Sequence, residues 1–209
     1  MSELPQAVLV DLGGVVVRDP RPFVVAQLAR RYHADPVALR TVYDRLSRSI
    51  DRGSISLREF HRRLVLAGRV PVPWSDFRRW FTYDSLVLFD SVPPALRALV
   101  SDHRVRVVFA SNTSRGVWEG LVRKFALDRW ADDAVLSFKV GALKPSRRFF
   151  RAAVRAGGAS PGRTWLLDDS PANVQAARAM GIRAVRVRRP RDAVATLARI
   201  RRRTSEPLG

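Results

Sequence analysis

Four short segments, far apart in the chain, carry polar side chains of the kinds that handle phosphate groups. They are Asp11-Leu12-Gly13-Gly14, Ser111-Asn112-Thr113, Leu143-Lys144-Pro145 and Asp168-Asp169-Ser170-Pro171-Ala172-Asn173. Each polar group lies just past an apolar run of the kind found in buried strands. Ligand sites in open α/β sheets form at the carboxyl ends of the strands, so these segments are predicted to meet in one site.

The carboxylates of these segments fit covalent phosphoryl transfer, which needs a nucleophile and neutralisation of charge. Asp11, at the end of a predicted buried strand, is the candidate nucleophile. Asp168 and Asp169 end another predicted strand. One or both are candidate ligands for Mg²⁺, a hard cation that takes few carboxylates and several waters.

The remaining polar groups fit anion binding. Lys144 would offset the negative charge of the carboxylates and of a phosphate. The hydroxyl of Ser111 and the backbone amides near Asn112 would cradle phosphate oxygens, and Gly13 allows a close backbone approach. Taken singly, residues of these types are more often helix caps, turn formers or solvated loop residues. Their order and their shared position at strand ends favour a joint functional role.

The elements that must position these residues follow from the apolar periodicity. Strands are predicted over residues 6–12, 105–110, 134–138, 164–167 and 182–187, and the last four alternate with helices. Such alternation predicts an α/β fold with a Rossmann-like, three-layer core around a parallel sheet. A helical stretch over residues 18–90 follows the first strand. We interpret it as a small α-helical cap, inserted into a core formed by residues 1–17 and 91–209.

Composition narrows the class of protein. The 209 residues include no cysteine, which excludes disulfides and thiolate metal sites. No apolar run approaches the roughly 20 residues of a membrane span, and the first predicted strand leaves no room for a signal peptide. We therefore expect a cytoplasmic protein with no membrane partner. The formal net charge of +19 favours anionic partners, so a small phosphorylated metabolite is expected and nucleic-acid binding stays open.

In this order, the four motifs resemble those of the haloacid dehalogenase-like (HAD) superfamily over nearly the whole chain. They are most similar to bacterial sugar-phosphate phosphatases, including the α-glucose-1-phosphatase branch. The resemblance implies a Mg²⁺-dependent phosphatase that hydrolyses a small phosphorylated metabolite, such as a sugar phosphate, through an aspartyl-phosphate intermediate. It also identifies the helical stretch as the family's cap of the first type, which encloses the site and implies small substrates.

The same resemblance implies a role for each motif residue. Asp11 would be the aspartyl-phosphate nucleophile. Ser111 and Asn112 would bind the transferring phosphate, and Lys144 would steady both that phosphate and Asp11. The implied metal ligands are Asp11, the backbone carbonyl of Gly13, Asp169 and, directly or through water, Asp168.

Gly13 is the departure from the family pattern. Most phosphatases of this superfamily have Asp two residues after the nucleophile, where it protonates the leaving oxygen and later activates water. General acid–base catalysis contributes about 10²–10⁴-fold, and glycine cannot supply it. Either the cap or the flap near Arg18-Asp19 supplies a substitute, or the leaving group is easily expelled, or the protein binds without turnover. The α-glucose-1-phosphatase branch also has Gly here and is regarded as hydrolytic, which favours activity.

Two other activities of the superfamily can be weighed on particular residues. Dehalogenases also lack the second Asp, but they attack carbon without a metal, so Asp168-Asp169 counts against carbon–halogen cleavage. A phosphonate hydrolase would need a lysine from the cap, and no lysine lies between residues 1 and 123. The alternatives that stay open are a catalytically impaired binding or regulatory protein and, less favoured, a metal-independent dehalogenase.

Overall fold

The computed structural model describes residues 4–205, and its centre is a five-stranded parallel sheet. The sheet places the first strand in the middle, with the strand order β3-β2-β1-β4-β5. The predicted α/β fold with a parallel sheet is confirmed. The strands are β1 (Ala7–Val10), β2 (Arg106–Ser111), β3 (Asp133–Leu136), β4 (Thr164–Asp168) and β5 (Arg183–Arg186).

Both faces of the sheet are apolar and are covered by helices. Val8 and Val10 pack into one layer and Leu9 into the other, because successive side chains of a strand point to opposite faces. Burial on both faces explains why the strands are near-continuous hydrophobic runs. The first layer holds α5 (Val92–Ser101), α6 (Arg115–Phe125) and α10 (Pro190–Ser205), and the second holds α8 (Arg147–Gly157) and α9 (Pro171–Arg178).

Between β1 and α5 the chain folds into a helical unit with an apolar core of its own, which we call the cap. Tyr43 and Phe60 meet edge to face with ring centroids 5.2 Å apart, and Phe77 and Phe81 stack at 5.5 Å. The cap contains α1 (Arg21–Tyr32), α2 (Pro36–Asp51), α3 (Leu57–Gly68), α4 (Trp74–Arg79) and a π-helical turn (Trp80–Asp84). Of the predicted core segments, residues 1–3 and 206–209 lie outside the described residues.

The cap rests on α6 of the core through two glycines of that helix. A Cβ at Gly120 would lie 2.1 Å from the backbone carbonyl oxygen of Thr82 in the π-helical turn. A Cβ at Gly116 would lie 3.1 Å from the side chain of Leu57 and 3.3 Å from that of Thr82. The absence of side chains at these positions therefore allows the cap and the core to approach closely.

The predicted strand over residues 134–138 is wrong at its end. β3 stops at Leu136, and the short helix α7 (Ser137–Val140) follows it. The Ser137 hydroxyl accepts a hydrogen bond from the Thr113 backbone N–H at 3.0 Å and faces two carbonyl oxygens, those of Thr113 and of Asp51. These contacts with distant segments hold Ser137 outside the strand, and the local sequence carries no signal for them.

The helices are of moderate length. The two longest within residues 4–205, α2 and α10, have 16 residues each. Among the described residues, no helix has both the length and the apolar character needed to cross a membrane.

Candidate active site

The four motifs converge at the carboxyl edge of the sheet. Asp11 directly follows β1, Ser111 is the last residue of β2, and Asp168 is the last residue of β4. β1 pairs with both β2 and β4, with Val10 opposite Phe109 on one side and Leu167 on the other. Parallel pairing therefore brings the three strand ends side by side.

Lys144 lies at the centre of the site and holds two carboxylates. Its Nζ is 2.6 Å from Asp168 Oδ2 and 2.9 Å from Asp11 Oδ2, and it donates to the carbonyl oxygen of Ala110 at 2.7 Å. An ammonium group has three donors, so these contacts satisfy it completely. Burial lowers the pKa of Lys144, but Asp11 and Asp168 outweigh burial, and its pKa is raised overall. Lys144 is therefore a fixed, charged anchor.

Asp168 is fully buried, and protein donors surround its carboxylate. Oδ1 accepts from the Ser170 backbone N–H and from Asn173 Nδ2, both at 2.9 Å. Oδ2 accepts from Lys144 Nζ at 2.6 Å and from Asn173 Nδ2 at 3.2 Å. Asn173 belongs to the fourth motif but received no role from the sequence. The structure places it as the partner that fixes the orientation of Asp168.

Asp11 is nearly inaccessible, and its two oxygens have different partners. Oδ1 accepts from the Leu12 backbone N–H at 2.7 Å, and Oδ2 contacts Lys144. Burial raises the pKa of Asp11 to about 7; Lys144 opposes this shift, and the charge of Asp168 reinforces it. The site therefore holds more negative charge than its one lysine compensates.

Asp169 is the third carboxylate of the site and the exposed one. One ligand oxygen each from Asp11, Asp168 and Asp169 lie within 4.8 Å of one another. Burial, then the charge of Asp168, raises the pKa of Asp169. Clustered carboxylate oxygens are the donors that a hard divalent cation prefers, so the residues fit Mg²⁺. Gly14 is required here: its φ is +75°, and a Cβ would lie 2.5 Å from Asp169 Oδ2.

The predicted phosphate-binding residues differ in how free their side chains are. Within residues 4–205 no group forms a hydrogen bond with the Ser111 hydroxyl, which lines the open cavity above Asp11. The Asn112 side chain is occupied: Nδ2 donates to the Lys144 carbonyl oxygen at 3.0 Å, and Oδ1 accepts from the Lys144 backbone N–H at 2.8 Å. Asn112 therefore positions Lys144, which leaves its backbone as the part available to an anion.

Gly13 faces open space. A Cβ built at this position would meet no atom within 4 Å. The flap around Arg18-Asp19, which follows Gly13, is well anchored, because Val17 forms isolated β-bridges with Gly13 and with Leu88. The glycine thus leaves room beside Asp11, and no described side chain fills it.

The cap covers this space, which forms a partly open chamber of about 470 Å³. Asp19 in the flap is held by Arg21. The Arg21 Nε lies 2.9 Å from each carboxylate oxygen of Asp19, and its Nη2 lies 2.7 Å from Asp19 Oδ2. The charged and hydroxyl-bearing residues that the cap and flap contribute to the chamber are Asp19, Arg21, Tyr43, Ser47, Arg48 and Asp51.

Asp51, at the end of α2, is the carboxyl group of the cap without a direct partner in this chamber. Within the described chain, no hydrogen bond or ion pair reaches its carboxylate. Burial raises the pKa of Asp51 to about 7, with Arg21 lowering and Asp19 raising it. Its backbone carbonyl accepts a short hydrogen bond from Ser137, which fixes the end of α2 against the loop after β2.

The structure brings the predicted residues together in one place. Lys144 contacts Asp11 and Asp168. A carboxylate oxygen of Asp169 lies within 4.8 Å of one from each of these two residues. Gly13 and Ser111 line the same cavity. Sequence reasoning missed Asp51, Ser137 and Asn173. Only Asn173 had a signal, its place in the fourth motif.

Comparisons with known proteins found a matching family model and similar solved structures. A model of the haloacid dehalogenase-like hydrolases matches residues 5–181. The HAD family enzyme bt-2542 from Bacteroides thetaiotaomicron is similar with a TM-score of 0.74 and 20% identity, over 88% of this chain and 94% of that chain. That enzyme has also been crystallised in complex with magnesium and inorganic phosphate.

Two further solved structures are similar. A predicted HAD-like family hydrolase from Porphyromonas gingivalis has a TM-score of 0.74 at 19% identity, over 96% of this chain and 99% of that chain. An L-2-haloacid dehalogenase from Xanthobacter autotrophicus, with chloropropionic acid covalently bound, has a TM-score of 0.67 at 16% identity, over 92% of this chain and 81% of that chain. At these identities the similarity shows the fold. The reaction must be argued from the site.

Proposed function

Because this chain belongs to the haloacid dehalogenase-like hydrolase family, we propose that it is a Mg²⁺-dependent phosphatase of a small phosphorylated metabolite, a sugar phosphate by preference. The observation that carries the proposal is the three-carboxylate cluster with Lys144 at its centre. Asp11 is the nucleophile that this arrangement favours, because it lies between the buried lysine and the open chamber.

The residues present support an in-line displacement at phosphorus. Asp11 attacks the phosphorus atom, the bond to the alcohol oxygen breaks, and an aspartyl phosphate forms. Water then attacks that phosphorus, which releases inorganic phosphate and restores the Asp11 carboxylate. The free hydroxyl of Ser111 and the backbone beside Asn112 bind the phosphate oxygens. Lys144 keeps the carboxylate of Asp11 in place throughout.

Asp11, Asp169 and the backbone carbonyl of Gly13 are the proposed metal ligands. When bound, Mg²⁺ supplies positive charge that neutralises the phosphate and the carboxylate cluster. Asp168 has its oxygens directed at Lys144, Asn173 and Ser170, so its proposed contribution to the metal is through water.

Asp169 also argues against the dehalogenase alternative. Carbon–halogen hydrolysis by a carboxylate nucleophile needs no metal, and an exposed second carboxylate beside the nucleophile would repel a haloacid anion. The impaired-binding alternative rests on Gly13 alone. The chamber around Gly13 also contains the carboxyl group of Asp51, which is our candidate for the missing acid.

We expect phosphate release from small phosphorylated sugars in the presence of Mg²⁺ and its loss on chelation. The test is a panel of phosphorylated metabolites and 2-haloacids, assayed for phosphate and halide with Mg²⁺ and with EDTA. Halide release without metal would assign a dehalogenase. Thermal stabilisation by a phosphorylated ligand with no product released would assign a binding protein.

Asp51 is our candidate for the proton donor that Gly13 cannot provide. It lines the chamber, has no direct partner, and is tied through its backbone to the loop that binds phosphate. Asp19, the other carboxylate that the cap and flap contribute to the chamber, is held in a close ion pair with Arg21. With a pKa of about 7, Asp51 is largely protonated below neutral pH and can protonate the leaving oxygen.

The Asp51→Asn variant is expected to lose activity in proportion to the basicity of the leaving group. With an alkyl or sugar phosphate we expect kcat to fall by about 10²–10⁴-fold, the usual range for general acid catalysis. With an aryl phosphate, whose leaving group needs no proton, we expect little change. The measurement is kcat for both substrate types over a pH series, in which the wild-type rate on the alkyl ester should fall as pH rises through about 7.

Two further variants make this test specific. Asp19→Asn should leave the leaving-group dependence unchanged, and if it reproduces the Asp51→Asn pattern, the proton comes from the flap. Gly13→Asp has space for its side chain, so adding it to Asp51→Asn should restore hydrolysis of the alkyl ester. If Asp51→Asn loses equal activity on both substrate types, Asp51 binds the substrate and does not donate the proton.

A further inference from the structure

A second cavity, of about 530 Å³, lies between the cap and the core and is separate from the chamber over Asp11. The cap contributes the start of α3, Trp74 and Arg78 from α4, and Thr82. The core contributes residues along α6, from Arg115 in its first turn to Arg123 in its last, and Phe138 of α7. We propose that this cavity is a binding site for a small polyanion, such as a metabolite with two or more phosphate groups.

Four arginines line the cavity: Arg58, Arg78, Arg115 and Arg123. The single carboxylate in its lining is that of Glu119, which is 3.8 Å from Arg115. Within residues 4–205, Arg58, Arg78 and Arg123 form no ion pair. The cavity therefore has an excess of about three positive charges, which matches a compact ligand of similar negative charge.

Two of these arginines are held against aromatic rings of the cavity lining. The Arg58 guanidinium lies 4.8 Å from the centroid of Trp74, and that of Arg115 lies 5.2 Å from Phe138. Stacking on a ring restricts a guanidinium while leaving its N–H groups free for an anion, so less side-chain entropy is lost on binding. Arg97 and Arg199 also lie over aromatic rings elsewhere on the chain, so the feature particular to this cavity is that two stacked arginines line it together.

The backbone also contributes positive potential to this cavity. The N-cap residues of α3 and α6, Ser56 and Ser114, both line the cavity, so two helix amino termini adjoin it. The positive end of a helix dipole favours an anion. A partly open recess of about 530 Å³ is of the size that takes a small molecule.

A ligand in this cavity would contact both the cap and the core, and it would adjoin the active-site chamber. Ile50 lines both cavities, and the residues that follow it, Asp51 and Gly53, line one cavity each. The end of α2 is thus the wall between them. Because an occupant would bridge α4 and α6, we expect it to stabilise the cap on the core.

The test uses inorganic triphosphate as the probe and calorimetry at near-physiological salt. We expect wild-type protein to bind one triphosphate and the exposed pair Arg78→Gln/Arg123→Gln to bind it at least about tenfold more weakly, since charge-assisted contacts are lost. The matched control is Arg151→Gln/Arg155→Gln, which removes the same charge from exposed positions of α8 outside the cavity. It should bind like the wild type.

Three outcomes would overturn the assignment. Equal weakening in both double variants would mean general attraction to a basic surface. Weakening in Ser111→Ala but not in Arg78→Gln/Arg123→Gln would place the triphosphate in the chamber over Asp11. Tighter binding of a short single-stranded oligonucleotide, lost in Arg78→Gln/Arg123→Gln, would make nucleic acid the partner. Unfolding is checked by circular dichroism, and Arg58→Gln/Arg115→Gln offers an independent second pair.

Discussion

Replacement of Asp11 by asparagine is expected to reduce phosphate release by at least about 10⁴-fold, because an amide cannot form the phosphoenzyme. The side chain keeps its shape, so the loss would be in kcat and substrate would still bind. The measurement is steady-state hydrolysis with Mg²⁺ on the best substrate of the panel, and Asp11→Ala serves as a second variant. Full Mg²⁺-dependent turnover in either variant would remove Asp11 from the mechanism.

The same substitution should make the metal-free protein more stable, which separates lost chemistry from lost folding. The pKa of Asp11 is about 7, above its ordinary value, so the folded state disfavours the ionised form. A carboxyl group whose pKa is higher in the folded state than in the unfolded state lowers the free energy of unfolding. This loss begins as pH rises above the pKa of the unfolded state and is complete above the pKa of the folded state. Asp11→Asn should therefore raise Tm in EDTA at pH 8, and this gain should shrink toward pH 5. The control, exposed Asp128→Asn, should show no such trend.

Replacement of Lys144 by methionine is expected to cause the largest loss of stability. The variant leaves Asp11 and Asp168 as neighbouring buried carboxylates without their cation. Removing one partner from a buried ion pair costs about 3–5 kcal/mol. For a chain of this size that is roughly 10 °C or more in Tm. Activity should fall with it, because Lys144 positions the nucleophile.

Two comparisons test whether the loss comes from the carboxylates. The variant Lys139→Met makes the same chemical change on an exposed side chain of α7 and should be nearly neutral. In the double variant Lys144→Met/Asp168→Asn one of the stranded charges is gone, so the combined loss should be smaller than the sum of the single losses. Additive losses would mean that Lys144 acts mainly by filling space. The deficit of Lys144→Met should also be largest at pH 8 and diminish toward pH 5, where Asp11, with its raised pKa, is protonated.

The sequence predicted the sheet and the motif residues because both depend on local patterns. Buried parallel strands are apolar runs, and a polar residue after such a run lies at the carboxyl edge where ligands bind. Asp11, Ser111 and Asp168 follow this rule, and each lies at a strand end. The convergence of Lys144 on Asp11 and Asp168 needed the four motifs to be considered together, because the lysine comes from a loop.

The residues that escaped prediction depend on contacts between distant segments. Asp51 is the last residue of a helix, and no local pattern marks it, because its chemistry comes from the chamber beneath the cap. Ser137 was assigned to a strand because its neighbours are apolar, whereas its hydroxyl joins Asp51 and Thr113, remote in sequence. Asn112 was assigned to phosphate, yet its side chain is taken up by the backbone of Lys144. Periodicity along the chain carries no information on such pairings.

The Ser137 hydroxyl faces two carbonyl acceptors, Asp51 in the cap and Thr113 in the core, but has one proton to donate. If the end of α2 moves away, that proton can turn wholly to Thr113, and no buried donor is left unsatisfied. The Asp51 carbonyl, for its part, becomes free to bind water. Separation of the cap from the core at this point therefore costs less than a broken buried hydrogen bond, which is about 1–3 kcal/mol. Because the Ser137 proton can be exchanged between the two carbonyls in this way, the end of α2 can separate from the loop after β2 at low cost in free energy.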